Sequence, residues 1–321
     1  MKGRFAPSPT GHIHLGNVWI ALLSYLSVKQ QHGTFLVRME DIDIQRSKRE
    51  LGEQLLDDLE WLGFEWDEGP RIGGAHGPYW QSERYDYYEK TLAQWESVGF
   101  VYPCFCNRAR IQSIASAPHR GEIPHLYDGH CRHLSLADIK EQWTQKEPSW
   151  RIKVEDRTIE FMDRWQGLQT RVLRSEVDDF VVKRGDGMFA YNLAVTLDDV
   201  AMGVTEIVRG ADLLDTTAQQ MYLYSLLGES PVHYGHAPLL IDVEGHRLSK
   251  RQKSITIKEL RESGYSSERI LGELCKQCDL VMKDELLSHG TITLCELVER
   301  ARNSELMSVD TLFRDEIVVR N

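Results

Sequence analysis

The chain has 321 residues, 41% hydrophobic and 27% charged, with a formal net charge of −11. That is ordinary for a soluble globular enzyme, with room for a large core and two or three domains. No run of about 18 apolar residues exists to cross a membrane, and Met1-Lys2-Gly3-Arg4 lacks the apolar stretch of a signal peptide.

Six cysteines, three of them clustered, suggest metal binding in a reducing compartment rather than a disulfide framework, so a cytoplasmic location is expected. The acidic balance is awkward for an RNA-binding protein, because phosphate contacts need positive surface. Arg108, Arg110, His119, Arg120, Arg132 and His133 do cluster in sequence. They read equally as a local basic face for RNA and as an ordinary solvated one.

Arg4 to Pro7 closes a first strand, which Pro7, Pro9 and Gly11 forbid from continuing. Val18 to Leu26 is apolar at nearly every position, too long for a strand, and reads as a buried helix ending at His32-Gly33. A strand, a Gly/Pro-rich turn and a helix N-terminus predict an anion site, with unpaired backbone amides aimed at the ligand. His12 and His14 would add imidazole donors, and Gly11 and Gly16 permit close approach. Alone, the segment reads equally as a βα turn with two solvated histidines.

Thr34 to Met39 reads as a buried strand ending in Glu40-Asp41-Ile42-Asp43. Carboxylates at the end of a parallel strand face the ligand crevice of an α/β sheet. Ser47 and Glu50 predict a capping box, and Leu51, Leu55, Leu56, Leu59 and Leu62 the apolar face of the helix that follows, stopped by Gly63. A further helix is expected over 85–98, ending at Gly99.

Cys104, Cys106 and Cys131 bracket an arginine-rich loop and suggest a structural zinc ion, which wants four soft or borderline ligands. Tyr127, His125, His130 and His133 are all candidates for the fourth, and chemistry alone favours a histidine. Cys275 and Cys278 fall in a helical apolar pattern and read as core, as does Cys295.

Residues 150–154 alternate like a strand, and 180–184 with 188–190 read as a hairpin across Gly185-Asp186-Gly187. Helix is expected over 191–200, strand over 205–209, helix over 213–227 and strand over 234–242. Arg247-Leu248-Ser249-Lys250-Arg251 is a basic loop, and the tail is mixed, with helices expected over 266–278, 284–287 and 294–302.

Arg4-Phe5-Ala6-Pro7-Ser8-Pro9-Thr10-Gly11-His12-Ile13-His14-Leu15-Gly16-Asn17, followed far downstream by Arg247 to Arg251, resembles the paired HIGH and KMSKS signatures of class I aminoacyl-tRNA synthetases. His14-Leu15-Gly16-Asn17 stands where HIGH stands, and the residues around it narrow the resemblance to the glutamyl branch. The second signature departs from KMSKS at its first, second and last positions but keeps Ser249-Lys250.

The resemblance implies an α/β fold. A Rossmann-like catalytic domain, 1–100 and 175–245, would be interrupted by an inserted zinc-bearing module, 101–174. The KMSKS-like loop and a small, mainly helical, stem-contact-like domain would fill 246–321. It also implies adenylation of L-glutamate by ATP with Mg²⁺. Arg4, Phe5, Ala6, Pro7, Ser8, Glu40, Tyr191 and Arg209 would enclose glutamate, with Glu40 on its ammonium. His14, Gly16, Asn17, Ser249 and Lys250 would bind ATP, and His12, His14 and Lys250 would act in catalysis. Tyr127, four residues before Cys131, would complete one zinc site with Cys104, Cys106 and Cys131.

Three features shift the resemblance toward the truncated paralogues that modify queuosine in tRNA(Asp), the first being the Gly11-His12-Ile13-His14-Leu15-Gly16-Asn17 segment, which looks like theirs. Arg209-Gly210-Ala211-Asp212-Leu213-Leu214 replaces the usual Arg-Gly-Glu-Asp-His, and residues 252–321 are too few for a helical anticodon-binding domain. A monomer acting on glutamate, ATP and queuosine-containing tRNA(Asp) is therefore expected. The alternatives are a short synthetase charging the 3′ end of tRNA(Glu), a non-catalytic tRNA-binding regulatory relative, and an unrelated nucleotidylyltransferase. The last would not need Glu40 and Arg209.

Overall fold

The structure, a computed structural model, describes residues 1–107, 110, 127–242, 244, 255–280, 290–304, 306 and 316–318. Ser249, Lys250, His125, Arg108, His119, Arg120 and the helix expected over 284–287 lie outside the described residues.

Strand β1 (Lys2–Phe5) leads to helix α1 (Leu15–Lys29), buried on nearly every side, as an interior helix that is apolar all round must be. A Cβ on Gly3 would lie 2.4 Å from Val28 Cγ2, so glycine lets α1 settle onto β1. Strand β2 (Thr34–Val37) returns parallel to β1. Helices α2 (Arg49–Trp61) and α3 (Tyr85–Ser97) follow.

Strands β3 (Val101–Cys104), β4 (Ser149–Ile152) and β7 (Val181–Lys183) form a small antiparallel sheet, with helix α4 (Leu136–Trp143) between β3 and β4. Strands β5 (Arg157–Asp163) and β6 (Gly167–Leu173) form a hairpin. Helix α5 (Tyr191–Ala201), strand β8 (Glu206–Gly210), helix α6 (Thr217–Leu227) and strand β9 (His233–Ala237) complete the main sheet region.

The main sheet runs β2-β1-β8-β9-β5-β6, parallel except for β6. Strand β1 hands on to β2 on one side while β8 lies on the other. The crevice at their carboxyl ends is thus a switch point, where such sheets bind ligands. The β5–β6 hairpin, within 101–174, extends this sheet. Strand β10 (Leu239–Ile241) pairs with β11 (Glu316–Val318), and helices α7 (Ile257–Glu262), α8 (Ser267–Gln277) and α9 (Leu294–Arg302) share one core with α1 and α2.

Several local expectations change. The strand expected over 234–242 splits at Pro238, which has no N–H for the ladder, and the chain switches sheets there. The helix expected from 213 begins as a 3-10 turn, Ala211–Thr216, and becomes α-helical at Thr217. The hairpin arm after Gly187 shrinks to a single bridge, Lys183 with Phe189.

The capping box at Ser47 is not formed. Helix α2 starts one residue later, at an N-cap Lys48 without a side-chain cap bond, and the buried Ser47 Oγ has no partner among the described residues. Cys275 and Cys278 are core, but Cys295 is exposed. It sits one position past the buried Leu294, about 100° round the helix from that face. Among the described residues no helix is long and apolar enough to cross a membrane.

Candidate active site at the carboxyl ends of β1 and β8

A cleft of about 540 Å³ opens at the switch point. Arg4, Phe5, Ala6, Pro7, Ser8, Glu40, Tyr191 and Arg209 line it together with His14, Gly16 and Asn17. The expected glutamate residues thus meet the described part of the expected ATP residues in one cavity. Among the described residues in the flanking chain, Leu239 and Leu240 line the cleft, and Thr256 forms a bridge with the cleft residue His14.

His12 does not join them. It lines a second depression with Asp57, Asp58, Lys258, Arg261 and Glu262, and the geometry offers no support for the expected role beside ATP phosphates.

The N-terminus of α1 also differs from the expected row of open amides. His14 is the N-cap: its Nδ1 accepts the Gly16 N–H at 3.1 Å, and Asn17 Oδ1 accepts the His14 N–H at 3.2 Å. The Asn17 and Val18 amides both turn back to His14 O. With Nδ1 accepting, the proton of a neutral His14 ring sits on Nε2, which is a donor. The side chain, more than the backbone, is what this turn offers an anion.

A buried ionic cluster reaches the cleft through Arg4 and Glu40. Arg38 Nη1 donates to Asp199 Oδ1 at 2.7 Å and Nη2 to Glu40 Oε1 at 3.2 Å. Arg4 reaches both Asp199 oxygens at 3.4 Å, and Arg84 Nε holds Asp198 Oδ1 at 2.6 Å. Burial pushes Asp199 up, yet Arg38 and Arg4 outweigh it and hold the carboxyl below its usual range. At Glu40 burial wins over the same two arginines, and its carboxyl lies above its usual range. Loss of water, with Glu40 nearby, likewise raises the Tyr191 phenol.

Arg209 is only 3% exposed. Its Nε donates to His236 Nε2 at 2.9 Å, Nη1 to Gln220 Oε1 at 2.7 Å, and Nη2 to Thr217 Oγ1 at 2.8 Å and Leu213 O at 3.4 Å. Every one of these acceptors is neutral, so among the described residues this buried, cleft-lining cation has no carboxylate partner. Arg38, Asp198, Asp199, His236 and Gln220 were not foreseen from the sequence. The available signal was polar residues set inside apolar runs, such as Asp198-Asp199 between Leu197 and Val200.

Away from the cleft, the ligand atoms of Cys104, Cys106 and Cys131 lie within 4.8 Å of one another, a group able to hold a metal ion. Cys106 Sγ and Cys131 Sγ are 3.6 Å apart, and Tyr127 Oη is 3.6 Å from Cys104 Sγ. A tetrahedral ion with metal–sulfur bonds of about 2.3 Å wants separations close to these. The thiols titrate as one cluster: hydrogen bonds from Cys106 and Cys131 hold Cys104 well below its usual range, while the Cys104 contact pushes Cys106 up. His133 is engaged elsewhere, 2.8 Å from Glu176 Oε1, and among the described residues no histidine joins the three sulfurs.

The described members of the basic cluster are likewise engaged. Arg110 pairs with Asp128, and Arg132 with Asp179.

A family-wide sequence model, tRNA synthetases class I (E and Q), catalytic domain, matches residues 1–308. A glutamyl-Q tRNA(Asp) synthetase of Nitratidesulfovibrio vulgaris is 45% identical over 88% of this chain and 87% of its own. That of Symbiobacterium thermophilum is 46% identical over 88% of both chains. The crystal structure of a glutamate tRNA ligase from Elizabethkingia meningosepticum, in complex with its amino acid, superposes with a TM-score of 0.81 at 27% identity. It is covered over 99% of this chain but 66% of its own, so this chain spans about two thirds of that ligase.

Proposed function

The chain belongs to the class I tRNA synthetases for glutamate and glutamine, and on that premise we propose that it activates L-glutamate with ATP and transfers it to the queuosine base at the anticodon wobble position of tRNA(Asp). The observation that carries the amino-acid half is Arg209. A buried guanidinium whose partners among the described residues are all neutral, in one cavity with the carboxylate Glu40, suits a substrate bearing both a carboxylate and an ammonium. The near full-length likeness to two glutamyl-Q tRNA(Asp) synthetases supports the acceptor.

Arg4, Tyr191 and Glu40 line the glutamate side, with Phe5, Ala6, Pro7 and Ser8 as the β1 exit wall. His14 Nε2–H, Gly16 and Asn17 take the ATP side, with Ser249 and Lys250 brought from the following loop and Mg²⁺ accompanying the nucleotide. In the reaction, a glutamate carboxylate oxygen attacks the α-phosphorus and pyrophosphate leaves. His14 and Lys250 stabilise the negative charge that builds on the phosphates. A hydroxyl of the modified base then displaces AMP to form an ester. Cys104, Cys106, Cys131 and Tyr127 would hold a structural Zn²⁺.

The test is charging with labelled glutamate of tRNA pools from queuosine-containing and queuosine-deficient cells, before and after removal of the 3′-terminal adenosine. Label confined to queuosine-containing tRNA and surviving trimming is the expected result. Label on the 3′ end of tRNA(Glu), lost on trimming, makes the chain a short glutamyl-tRNA synthetase. Absence of glutamate-dependent ATP–pyrophosphate exchange leaves a non-catalytic relative.

A further inference from the structure

The side chain assigned to the substrate carboxylate is itself held from behind. Arg209 and His236 are register partners on β8 and β9, and Asp163 ends β5, the next strand of the sheet. An arginine Nε–H can only donate, so His236 Nε2, 2.9 Å away, must accept, and the proton of the ring sits on Nδ1. That nitrogen lies 2.6 Å from Asp163 Oδ2 and donates to it. Asp163 Oδ1 accepts the backbone N–H groups of Trp165, Gln166 and His236 at 3.0, 3.0 and 3.1 Å.

Neither side chain of the pair has any exposure, and the Tyr234 ring stacks on the imidazole at 5.9 Å and 12°. Flipping the ring or moving the carboxylate would strand several buried donors at once. With the other contacts of Arg209 spent on Gln220, Thr217 and Leu213, one Nη1 hydrogen has no partner among the described residues, and Arg209 lines the cleft.

We propose that Asp163 and His236 are positioning residues, which lock the His236 tautomer so that its Nε2 lone pair fixes Arg209 and aims the remaining Nη1–H at the substrate carboxylate. This rests on the glutamate reading above. The surroundings keep the ring neutral. Asp163 from β5 and Thr217 from α6 face it as acceptor or donor, Arg209 from β8 and Arg4 from β1 as cations, and burial and Arg209 lower its basicity more than Asp163 restores it. A neutral ring is what the Nε2 acceptor role requires.

The experiment is glutamate-dependent ATP–pyrophosphate exchange on the full chain for wild type, Asp163→Asn, His236→Gln and His236→Leu. It is joined to ¹⁵N NMR of the His236 ring. In Asp163→Asn the side-chain amide faces Nδ1 and favours the other tautomer, setting Nε2–H against the guanidinium. We expect a glutamate KM raised about 10–100-fold with the ATP KM within about twofold, since small misplacements of an orienting group cost on that scale. His236→Gln, which keeps a carbonyl acceptor, should retain more glutamate affinity than His236→Leu. The wild-type spectrum should show Nδ1 protonated and Nε2 bare.

A wild-type ring protonated on Nε2 overturns the proposal, whatever the variants do. So does a glutamate KM within twofold of wild type in folded Asp163→Asn and His236→Leu. Parallel rises for glutamate and ATP reduce the pair to a packing role and also overturn it. Wild-type exchange separates the two readings. If it is absent, the glutamate reading fails and takes this role with it; if it is present and unchanged in the variants, only the positioning role falls.

Discussion

Arg38 Nη1 lies 2.7 Å from Asp199 Oδ1, with 0% and 1% of their side chains exposed. The pair ties the residue after strand β2 to helix α5, and Asp199 also takes Arg4, a cleft residue. Removing one partner of such a pair leaves an uncompensated buried charge, so Asp199→Ala should destabilise the fold by about 3–5 kcal/mol in denaturant unfolding. A loss below about 1 kcal/mol would show that water or rearrangement relieves the cluster.

The same carboxyl gives a pH prediction with a definite sign. Asp199 is held below its usual range when folded, so the unfolded chain takes up its proton first as pH falls. Its stabilising contribution is complete above about pH 4 and is lost as pH falls through the lower folded value. Unfolding free energy measured against pH should therefore drop on the acid side, and Asp199→Asn should flatten part of that drop. An acid limb of equal slope in the variant would assign the drop to other carboxyls.

His14 has two separable duties. Its Nδ1 caps α1, and the residue lines the cleft, where the proposed mechanism sets its Nε2–H on the phosphates. His14→Ala should lose the cap, worth about 1 kcal/mol, and slow exchange by about 10²–10³-fold. His14→Asn should keep the cap and still lose the rate. Lys250→Ala should match the rate loss with no change in stability. Undiminished exchange in His14→Asn would leave the histidine as a cap only.

What was legible beforehand follows from what is local. The turn from Arg4 to Asn17 is short-range pattern, and so is α1, whose apolar run between a glycine-rich turn and His32-Gly33 admits one reading. Cys275 and Cys278 fell on the buried face because three-residue spacing keeps two side chains together. Arg38–Asp199 and Asp163–His236 are tertiary pairs, joined across 161 and 73 residues, which no periodicity records. The break at Pro238 was legible in principle and was outweighed by the apolar run around it.

Amino-acid choice tests the Arg209 assignment directly. Glutamine presents an amide where a carboxylate is wanted, and it leaves the buried guanidinium partly uncompensated. Exchange supported by glutamine should fall about a hundredfold or more in kcat/KM below glutamate. Aspartate, one methylene shorter, should fail on reach. Arg209→Lys should raise the glutamate KM, because a point charge cannot keep the forked contacts to His236, Gln220 and Thr217. Equal rates with glutamine would move the carboxylate site elsewhere in the cleft.

The sulfur cluster calls for elemental analysis with four cysteine variants, one tyrosine variant and one His130 variant. One zinc per chain is expected in the wild type. Cys104→Ser should lose it, since that sulfur is a proposed ligand and also the acceptor of the Arg151 Nε–H at 3.3 Å. Cys275→Ser, Cys278→Ser and Cys295→Ser should keep it, the first two being buried in the helical core and the third exposed on α9. Tyr127→Phe is the discriminating change. It retains a ring under the Arg151 guanidinium, 4.0 Å from the centroid, and removes only the phenol oxygen. If that oxygen is the fourth ligand, the folded variant should release zinc to a chelator faster than the wild type while its thermal midpoint in excess zinc stays close. Unchanged release from Tyr127→Phe, with metal lost in a His130 variant instead, would pass the fourth position to histidine. Zinc content untouched by Cys104→Ser would remove the site altogether.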